Sequence, residues 1–395
     1  MRRALLCVLV AVFSLGLAAC GGSKSSSAQS RTVQVDGTTD KFNASFLQYF
    51  PQRVTVHPGD TVDFHENWTG EPHTVTMGTL AEAGLKAVKD AGPSAQNGPP
   101  PPAFASLPTL LPQGPGDANQ NAAQPCFLTT GAPPADPATA CTKDQQTQPD
   151  FTGNQTYYNS GFLPEGDTYK VKLSPDIKPG TYSYYCNLHG PEMSGSIVVV
   201  GKDRSTPSAD TSNKAADAEK AAVVAKLLPP YNDAKAGKFP LPGITNVAGY
   251  GAQDVQAASI NEFIPATIKA KVGQKVPWAF VGFHTMTFGK APIEPGKFLT
   301  KSADGAWHLA QDLGKPIGFP EAPQTPNGPP SAGPPPVINV DGGTLSDNTT
   351  LKSTGAVGGD PSTGILQYNV TFTKPGTYTY VCLIHPKMGG VVDVS

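Results

Sequence analysis

Two short segments decide the fold of this chain: Tyr-Cys-Asn-Leu-His-Gly-Pro-Glu-Met at 185–193 and Val-Cys-Leu-Ile-His-Pro-Lys-Met at 381–388. Each segment brings a cysteine thiol, a histidine imidazole and a methionine thioether within eight residues of one another. Another histidine lies about a hundred residues before each segment, His73 for the first and His284 for the second. The spacing therefore predicts two metal sites, each with donors from two distant parts of the chain.

The donors of each site form the set used by type 1, or blue, copper centres, in which two imidazoles and a thiolate are joined by a weak axial methionine. The predicted ligands are His73, Cys186, His189 and Met193 in the first site, and His284, Cys382, His385 and Met388 in the second. One Cys-x2-His alone could be a packed core cysteine beside a surface histidine, but finding the whole set twice favours copper. We therefore expect two type 1 copper ions and electron transfer.

The two halves of the chain repeat one pattern. Lys-Pro-Gly-Thr-Tyr-x-Tyr-x-Cys occurs at 178–186 and again at 374–382, and the histidine that follows keeps the same offset of 196 residues. Runs of alternating apolar residues precede the motif in both halves, which is typical of half-buried strands. A repeat of this size predicts two homologous domains rather than a solenoid. We expect them at 31–203 and 246–395, joined by a linker at 204–245.

The linker is predicted to contain one helix. Residues 212–228 are rich in helix-forming residues, with Ser212 or Asn213 as the N-cap and Pro229-Pro230 as the stop signal. We expect this helix to be a spacer that packs on one of the two domains.

These motifs and their order resemble the cupredoxins, the plastocyanin, azurin and amicyanin group of small copper proteins. The resemblance covers most of 31–203 and 246–395 but not the insertions at 79–158 and 291–350. It implies an all-β fold of two tandem Greek-key β-sandwich domains, with long Pro/Gly-rich insertions and a short helical linker. Cys-x2-His-x2-Met in the second site is similar to the short amicyanin loop. Insertions of this length are either functional or poorly ordered, and the sequence leaves both open.

Two departures from the cupredoxin pattern concern the sites. Glu192 stands three residues after His189, where the second site has its methionine, so it competes with Met193 for the axial position. A carboxylate there would favour Cu(II) and lower the potential. Thr74 and Thr285 follow the upstream histidines, where plastocyanin-like proteins often have Asn. The resemblance therefore does not supply the hydrogen bond that steadies the ligand loop.

The other histidines and methionines are expected to be structural. Met77 and Met286 are predicted to pack in the core on the histidine-bearing strands, with a second copper-binding role as the alternative. His57, His65 and His308 have no partners at metal-ligand spacing and are expected at the surface.

The N-terminus has the pattern of an export signal. A basic start precedes an apolar run at 4–17 that is shorter than a membrane span, and Leu-Ala-Ala-Cys ending at Cys20 resembles a bacterial lipobox. We expect a lipoprotein signal peptide at 1–19, lipidation of Cys20 and a flexible tether at 20–30. The mature protein would then be membrane-anchored through its lipid, at the periplasmic or another extracytoplasmic face. An ordinary secretory signal with an incidental cysteine is the alternative.

Two further cysteines, Cys126 and Cys141, fall in the first insertion. In an oxidising compartment they are expected to form a disulfide, which would stabilise the fold by about 3 kcal/mol in the chain-entropy model. Extra metal ligation is the alternative role.

The charge and the motifs of the chain restrict the classes of partner that it can bind. The formal charge of −2 becomes about −4 once the two signal arginines are removed, which argues against nucleic acid. The chain shows no Ser/His/Asp set, phosphate-binding glycine loop or dinucleotide motif, so no small-molecule substrate is evident.

The leading hypothesis is an electron carrier between redox partner proteins. We expect His189 and His385 to reach the surface through an apolar patch, where a partner would dock. Copper delivery or storage is the alternative, because it uses the same ligands. A subunit of a copper oxidase or nitrite reductase is less favoured, because the chain has no His-x-His pair to bind further copper ions. We therefore expect no enzyme activity.

Overall fold

The computed structural model describes residues 28–92, 124–133, 141–240, 243–251, 258–301, 303, 305–323, 336–358 and 364–395. The predicted signal peptide at 1–19, the lipidation site Cys20 and most of the tether lie outside the described residues.

The described residues form two β-sandwiches. In the first sandwich, one sheet has the order β3 (Tyr49–Phe50), β1 (Ser30–Val35), β5 (Thr61–Glu66) and β9 (Thr168–Lys172). The facing sheet has the order β4 (Arg53–Val56), β11 (Gly190–Val199), β10 (Gly180–Cys186), β6 (Thr76–Met77), β8 (Tyr157–Ser160) and β7 (Pro125–Leu128). Alternate residues of β1 and β5 are buried, as expected for strands with one face on a core.

The second sandwich repeats this arrangement. One sheet has the order β19 (Val337–Leu345), β21 (Ile365–Phe372), β15 (Lys275–Phe280), β12 (Val247–Tyr250), β13 (Ala258–Ile264) and β2 (Ala44–Phe46). The facing sheet has the order β14 (Thr267–Ala270), β23 (Gly389–Val394), β22 (Gly376–Val381), β16 (Thr287–Phe288) and β20 (Lys352–Ser353). A small hairpin of β17 (Leu299–Lys301) and β18 (Trp307–Leu309) is added. The predicted all-β class with two sandwiches is confirmed.

One strand crosses between the halves. β2 belongs to the first half of the sequence, yet it pairs with β13 and extends a sheet of the second sandwich. Asn43, directly before it, donates from Nδ2 to the carbonyl oxygens of Asn261 (2.8 Å) and Pro386 (2.9 Å). The two sandwiches therefore share backbone and side-chain hydrogen bonds along their junction.

Within the described ranges, the strands are accompanied by the α-helices α1 (Thr79–Ala91), α2 (Lys143–Gln146) and α3 (Ala209–Lys235). α3 is the predicted linker helix, but its predicted limits are wrong. Its N-cap is Ser208, whose side chain accepts from the Thr211 amide, and it runs through Pro229 and Pro230.

The prolines fail to stop α3 because tertiary packing overrides the loss of their N–H donors. Leu227 and Ala234 lie on one helix face and are buried in a cluster with residues from both sandwiches, including Phe50 of β3 and Ile260 of β13. α3 also contacts β1, β3 and β13. The helix therefore packs across both sandwiches, and the expectation that it packs on one domain is wrong.

Candidate metal centres

The first predicted ligand group converges in the first sandwich. Cys186 Sγ lies 3.5 Å from His189 Nδ1 and 3.9 Å from His73 Nδ1. Cys186 and His73 are fully buried, whereas the His189 side chain is 13% exposed. The Nδ1 atoms of two imidazoles and the Sγ atom of one thiol thus face the same point.

The second group has the same arrangement. Cys382 Sγ lies 3.6 Å from His385 Nδ1, and His385 Nδ1 lies 3.0 Å from His284 Nδ1. All three residues are buried, and their donor atoms lie within 4.8 Å of one another. The two clusters therefore present the same donor atoms in similar surroundings.

Neighbouring strands bring these donors together. Cys186 ends β10, which pairs with β6, and His73 lies just before β6 in an isolated bridge to Leu163. In the second sandwich β22 ends directly before Cys382 and pairs with β16, and His284 precedes β16 in a bridge to Val357. Residues far apart in sequence thus meet because their strands are adjacent.

Threonine steadies both ligand loops. The Thr74 hydroxyl accepts from the Asn187 amide at 2.9 Å, and the Thr285 hydroxyl accepts from the Leu383 amide at 2.7 Å. The amides of both threonines also point at the cysteine sulfurs, each at 3.4 Å. Threonine therefore supplies the hydrogen bond to the ligand loop that the cupredoxin pattern, with Asn at this position, does not supply here.

The axial candidates of the first site are separated by burial. Met193 is fully buried in the same core cluster as Cys186, whereas Glu192 is exposed. In the second site Met388 is 2% exposed, and its carbonyl accepts from the Cys382 amide at 2.9 Å. In the first site, the burial of Met193 and the exposure of Glu192 therefore favour the methionine over the carboxylate as the axial ligand.

The electrostatic surroundings prepare both thiols for a metal. Burial alone would raise the pKa of the Cys186 thiol, but His189 and His73 outweigh it and hold that pKa well below its usual range. The pKa of Cys382 is lowered in the same way by the two histidines of its own cluster. Since the thiolate is the form that binds metal, both clusters are suited to a soft cation.

The upstream histidines, His73 and His284, have different partners at Nε2, the ring nitrogen called here the outer nitrogen. His73 Nε2 lies 3.1 Å from a carboxylate oxygen of buried Asp36, whereas His284 Nε2 lies 3.0 Å from the backbone oxygen of Val281. Sequence reasoning missed Asp36, because nothing in its position at the end of β1 indicates contact with a residue on another strand.

A second buried carboxyl group lies beside Asp36. Glu66 is 1% exposed, and neither of its carboxyl oxygens has a hydrogen-bond partner among the described residues. Burial raises the pKa of Glu66 well above its usual range, although the nearby His73 opposes this. Carboxylate oxygens of Asp36 and Glu66 and a nitrogen of His73 lie within 4.8 Å of one another.

The other outer nitrogens meet at one carboxylate. Glu71 Oε1 lies 2.8 Å from His385 Nε2, and Glu71 Oε2 lies 3.4 Å from His189 Nε2. His385 is 1% exposed, so the expectation that it reaches the surface is wrong: the junction covers it. Glu71 was also missed, although its place two residues before His73 could have marked it as a neighbour of the site.

The remaining sequence candidates have structural contacts. Met77 and Met286 are fully buried core residues. The ring nitrogens of His57 and His65 lie near Arg204 O (2.7 Å) and Thr168 Oγ1 (3.0 Å), respectively. His308 is part of β18 and is partly exposed.

Cys126 and Cys141 form a disulfide in the first insertion, with Cα atoms 5.8 Å apart. It joins β7 to the segment before α2. Of the helices in the described ranges, none has the length and apolar character needed to cross a membrane.

Comparison with known proteins yields weak structural likenesses. No family model matches the chain, and no curated protein matches it. A reduced auracyanin from Roseiflexus castenholzii is 18% identical, with 43% of this chain and 96% of that chain covered and a TM-score of 0.21. A purple cupredoxin from Nitrosopumilus maritimus is 14% identical, with 43% and 99% covered and a TM-score of 0.18. A blue copper oxidase from Nitrosomonas europaea is 11% identical, with 93% and 86% covered and a TM-score of 0.19. At these scores the function rests on the chain's own residues.

Proposed function

We propose that this chain is an electron carrier that binds two copper ions in type 1 sites, one in each sandwich. The proposed ligands are His73, Cys186, His189 and Met193, and His284, Cys382, His385 and Met388. The observation that carries the proposal is the convergence of one thiol and two imidazole nitrogens at two separate places, with all three residues buried in the second group and all but His189 buried in the first. Copper would supply one-electron chemistry there.

The protein groups around each cluster fit such a metal. Two imidazoles and a thiolate suit both oxidation states of copper, so the ligands need not rearrange when an electron arrives. The Thr74 and Thr285 amides hold the two sulfurs in place, which fixes ligand direction. Core side chains surround Cys186 and Cys382 and exclude water from both sulfurs. This arrangement supports reversible electron exchange rather than substrate chemistry.

We further propose that the protein is exported and anchored to a membrane by a lipid on Cys20, where it meets redox partner proteins. The lipobox-like segment ending at Cys20 supports this location. Intact mass measurement of membrane-extracted protein tests it, since lipidation after cleavage removes residues 1–19 and adds acyl mass. An unmodified Cys20 would refute the anchor.

Copper stoichiometry and the visible spectrum test the electron-carrier proposal. We expect two copper ions per chain, intense blue absorption and reversible reduction. Cys186→Ser and Cys382→Ser should each remove one centre and leave the other. Absence of copper from the wild-type protein refutes the proposal, and loss of both centres in one variant refutes the count of two. A colourless, loosely held ion would instead favour copper delivery.

A further inference from the structure

We propose that an electron passes within the chain from the His73 site to the His284 site across Glu71, and that Asp36 sets this direction. The inference rests on the proposed function, because it requires copper in both clusters.

The path follows from the orientation of the imidazoles. His189 and His385 both direct Nδ1 at the cysteine of their own cluster and Nε2 at Glu71. If Nδ1 binds the metal, Nε2 keeps its hydrogen and can donate it to a carboxylate oxygen. Glu71 has one oxygen for each imidazole, so a single side chain connects the two clusters.

The junction is built to hold Glu71 in this place. The preceding residue is Gly70, with φ of +103°, and a Cβ there would lie 2.3 Å from Ile384 O and 2.9 Å from His385 Cα. Only glycine therefore lets this segment approach the second ligand loop so closely. The same loop also accepts a hydrogen bond at Pro386 O from the side chain of Asn43.

The direction follows from a difference between the two sites. In the first sandwich Val35 pairs with Glu66 at the end of β5, and Asp36 is the next residue. In the second sandwich Ala248 pairs with Phe280 at the end of β15, and Gly249 is the next residue. The two positions are equivalent, yet only the first carries a carboxyl group. His73 thus has a carboxylate partner, whereas His284 has a backbone carbonyl of Val281.

Asp36 has the contacts of an ionised carboxylate. Oδ1 accepts from the backbone amides of Gly37 (2.6 Å) and Phe46 (2.5 Å). Oδ2 accepts from the Thr69 hydroxyl (2.6 Å) and lies 3.1 Å from His73 Nε2. Four donors fill the acceptor positions of an ionised carboxylate. A negative charge behind His73 makes the imidazole more basic and favours the more positive metal, so the His73 site should have the lower potential.

The electron transfer requires no change in the covalent structure of the protein. One electron leaves the His73 site, which is oxidised, and enters the His284 site, which is reduced. No bond forms or breaks, and Glu71 accepts a hydrogen bond from each imidazole before and after transfer, so no proton needs to leave.

The path is tested in the full two-copper protein by rapid partial reduction. Exchange between the centres is followed by freeze-quench EPR, with the signals assigned from Cys186→Ser and Cys382→Ser. We expect a first-order exchange rate that does not depend on protein concentration. Glu71→Gln should slow it about tenfold or more, because an amide has only one acceptor oxygen for the two imidazoles. The matched control is Glu165→Gln, since Glu165 also pairs across the junction, with Lys297, but does not contact either cluster.

Three results separate the possible failures. A wild-type rate proportional to protein concentration overturns the internal path, even if Glu71→Gln does not fold. An unchanged rate in Glu71→Gln with both coppers present also overturns it and leaves the proposed function intact. A wild-type protein without two blue centres refutes the proposed function itself.

The direction is tested by the midpoint potential of each centre. In wild type we expect the lower potential at the His73 site. Asp36→Asn should raise that potential and leave the His284 site unchanged; Asn also tolerates the φ of +61° at this position. Asp60→Asn is the control, because Asp60 is a buried carboxyl group of the same sandwich that accepts from the backbone amides of Gln29 and His57. A lower wild-type potential at the His284 site, or equal shifts at both sites in Asp36→Asn, overturns the assignment.

Discussion

Gly249→Ala should remove the second centre and spare the first. Gly249 lies in a bulge of β12 with φ of +78°. A Cβ at this position would be 2.0 Å from His284 Nε2 and 2.1 Å from Val281 O. Both contacts are too short for a real Cβ, so the backbone at Val281 has to shift and the imidazole has to leave the position in which its Nδ1 faces the cluster.

The size of the effect has two parts. A non-glycine residue in the left-handed region costs about 1–2 kcal/mol, and forcing extra volume into a packed site costs roughly 1–3 kcal/mol more. The expected loss of about 2–5 kcal/mol is large beside a typical folding stability of roughly 5–15 kcal/mol. We therefore expect a folded but weakened second sandwich with His284 displaced.

Gly273→Ala separates backbone strain from the clash. Gly273 has φ of +80°, and no atom lies within 4 Å of the place that a Cβ would take. This control should lose only about 1–2 kcal/mol and keep both coppers. The assay is copper content with the visible spectrum, and the first centre reports folding in the same sample. Two unperturbed centres in Gly249→Ala would refute the placement of His284.

Three further outcomes are expected. Thr285→Val should cost about 1–3 kcal/mol in urea unfolding and speed copper release, because the Leu383 amide loses its acceptor, whereas Thr285→Ser should not. Met193→Ala should change the spectrum of the first centre and cost about 2–5 kcal/mol, while Glu192→Ala leaves the spectrum unchanged. Burial raises the pKa of Tyr158 to about 12, so this side chain should account for roughly 3 kcal/mol of the stability that the copper-free protein loses between pH 10 and 12. Its contribution is complete below pH 10, and Tyr158→Phe should reduce the loss by that amount in urea unfolding, with the other buried tyrosines accounting for the remainder.

The sequence predicts which side chains come together because most of them lie in local motifs. Cys186 and His189 are three residues apart, so a tight loop after a strand brings them together whatever surrounds them. The upstream His73 could be assigned because the same pattern recurs at His284. Repetition thus supplied the long-range pairing that a single copy would have left ambiguous.

The junction could not be predicted in the same way. Glu71 and His385 are 314 residues apart, and their contact depends on how two separately packed sandwiches meet. Likewise, α3 continues through Pro229-Pro230 because Leu227 and Ala234 pack against both sandwiches, a tertiary effect that no local propensity contains. Apart from Asp36, which contacts His73 within the first sandwich, the contacts that the sequence misses here lie between the halves.

Those contacts change the meaning of the site histidines. The sequence alone predicts that each cluster presents an imidazole edge to an outside protein. Instead, both edges meet at Glu71, and His385 is covered. Each imidazole edge therefore faces the other cluster, so substitutions at Glu71 should act on exchange inside the chain. An outside partner that reaches the His284 site must approach by a side other than the His385 edge.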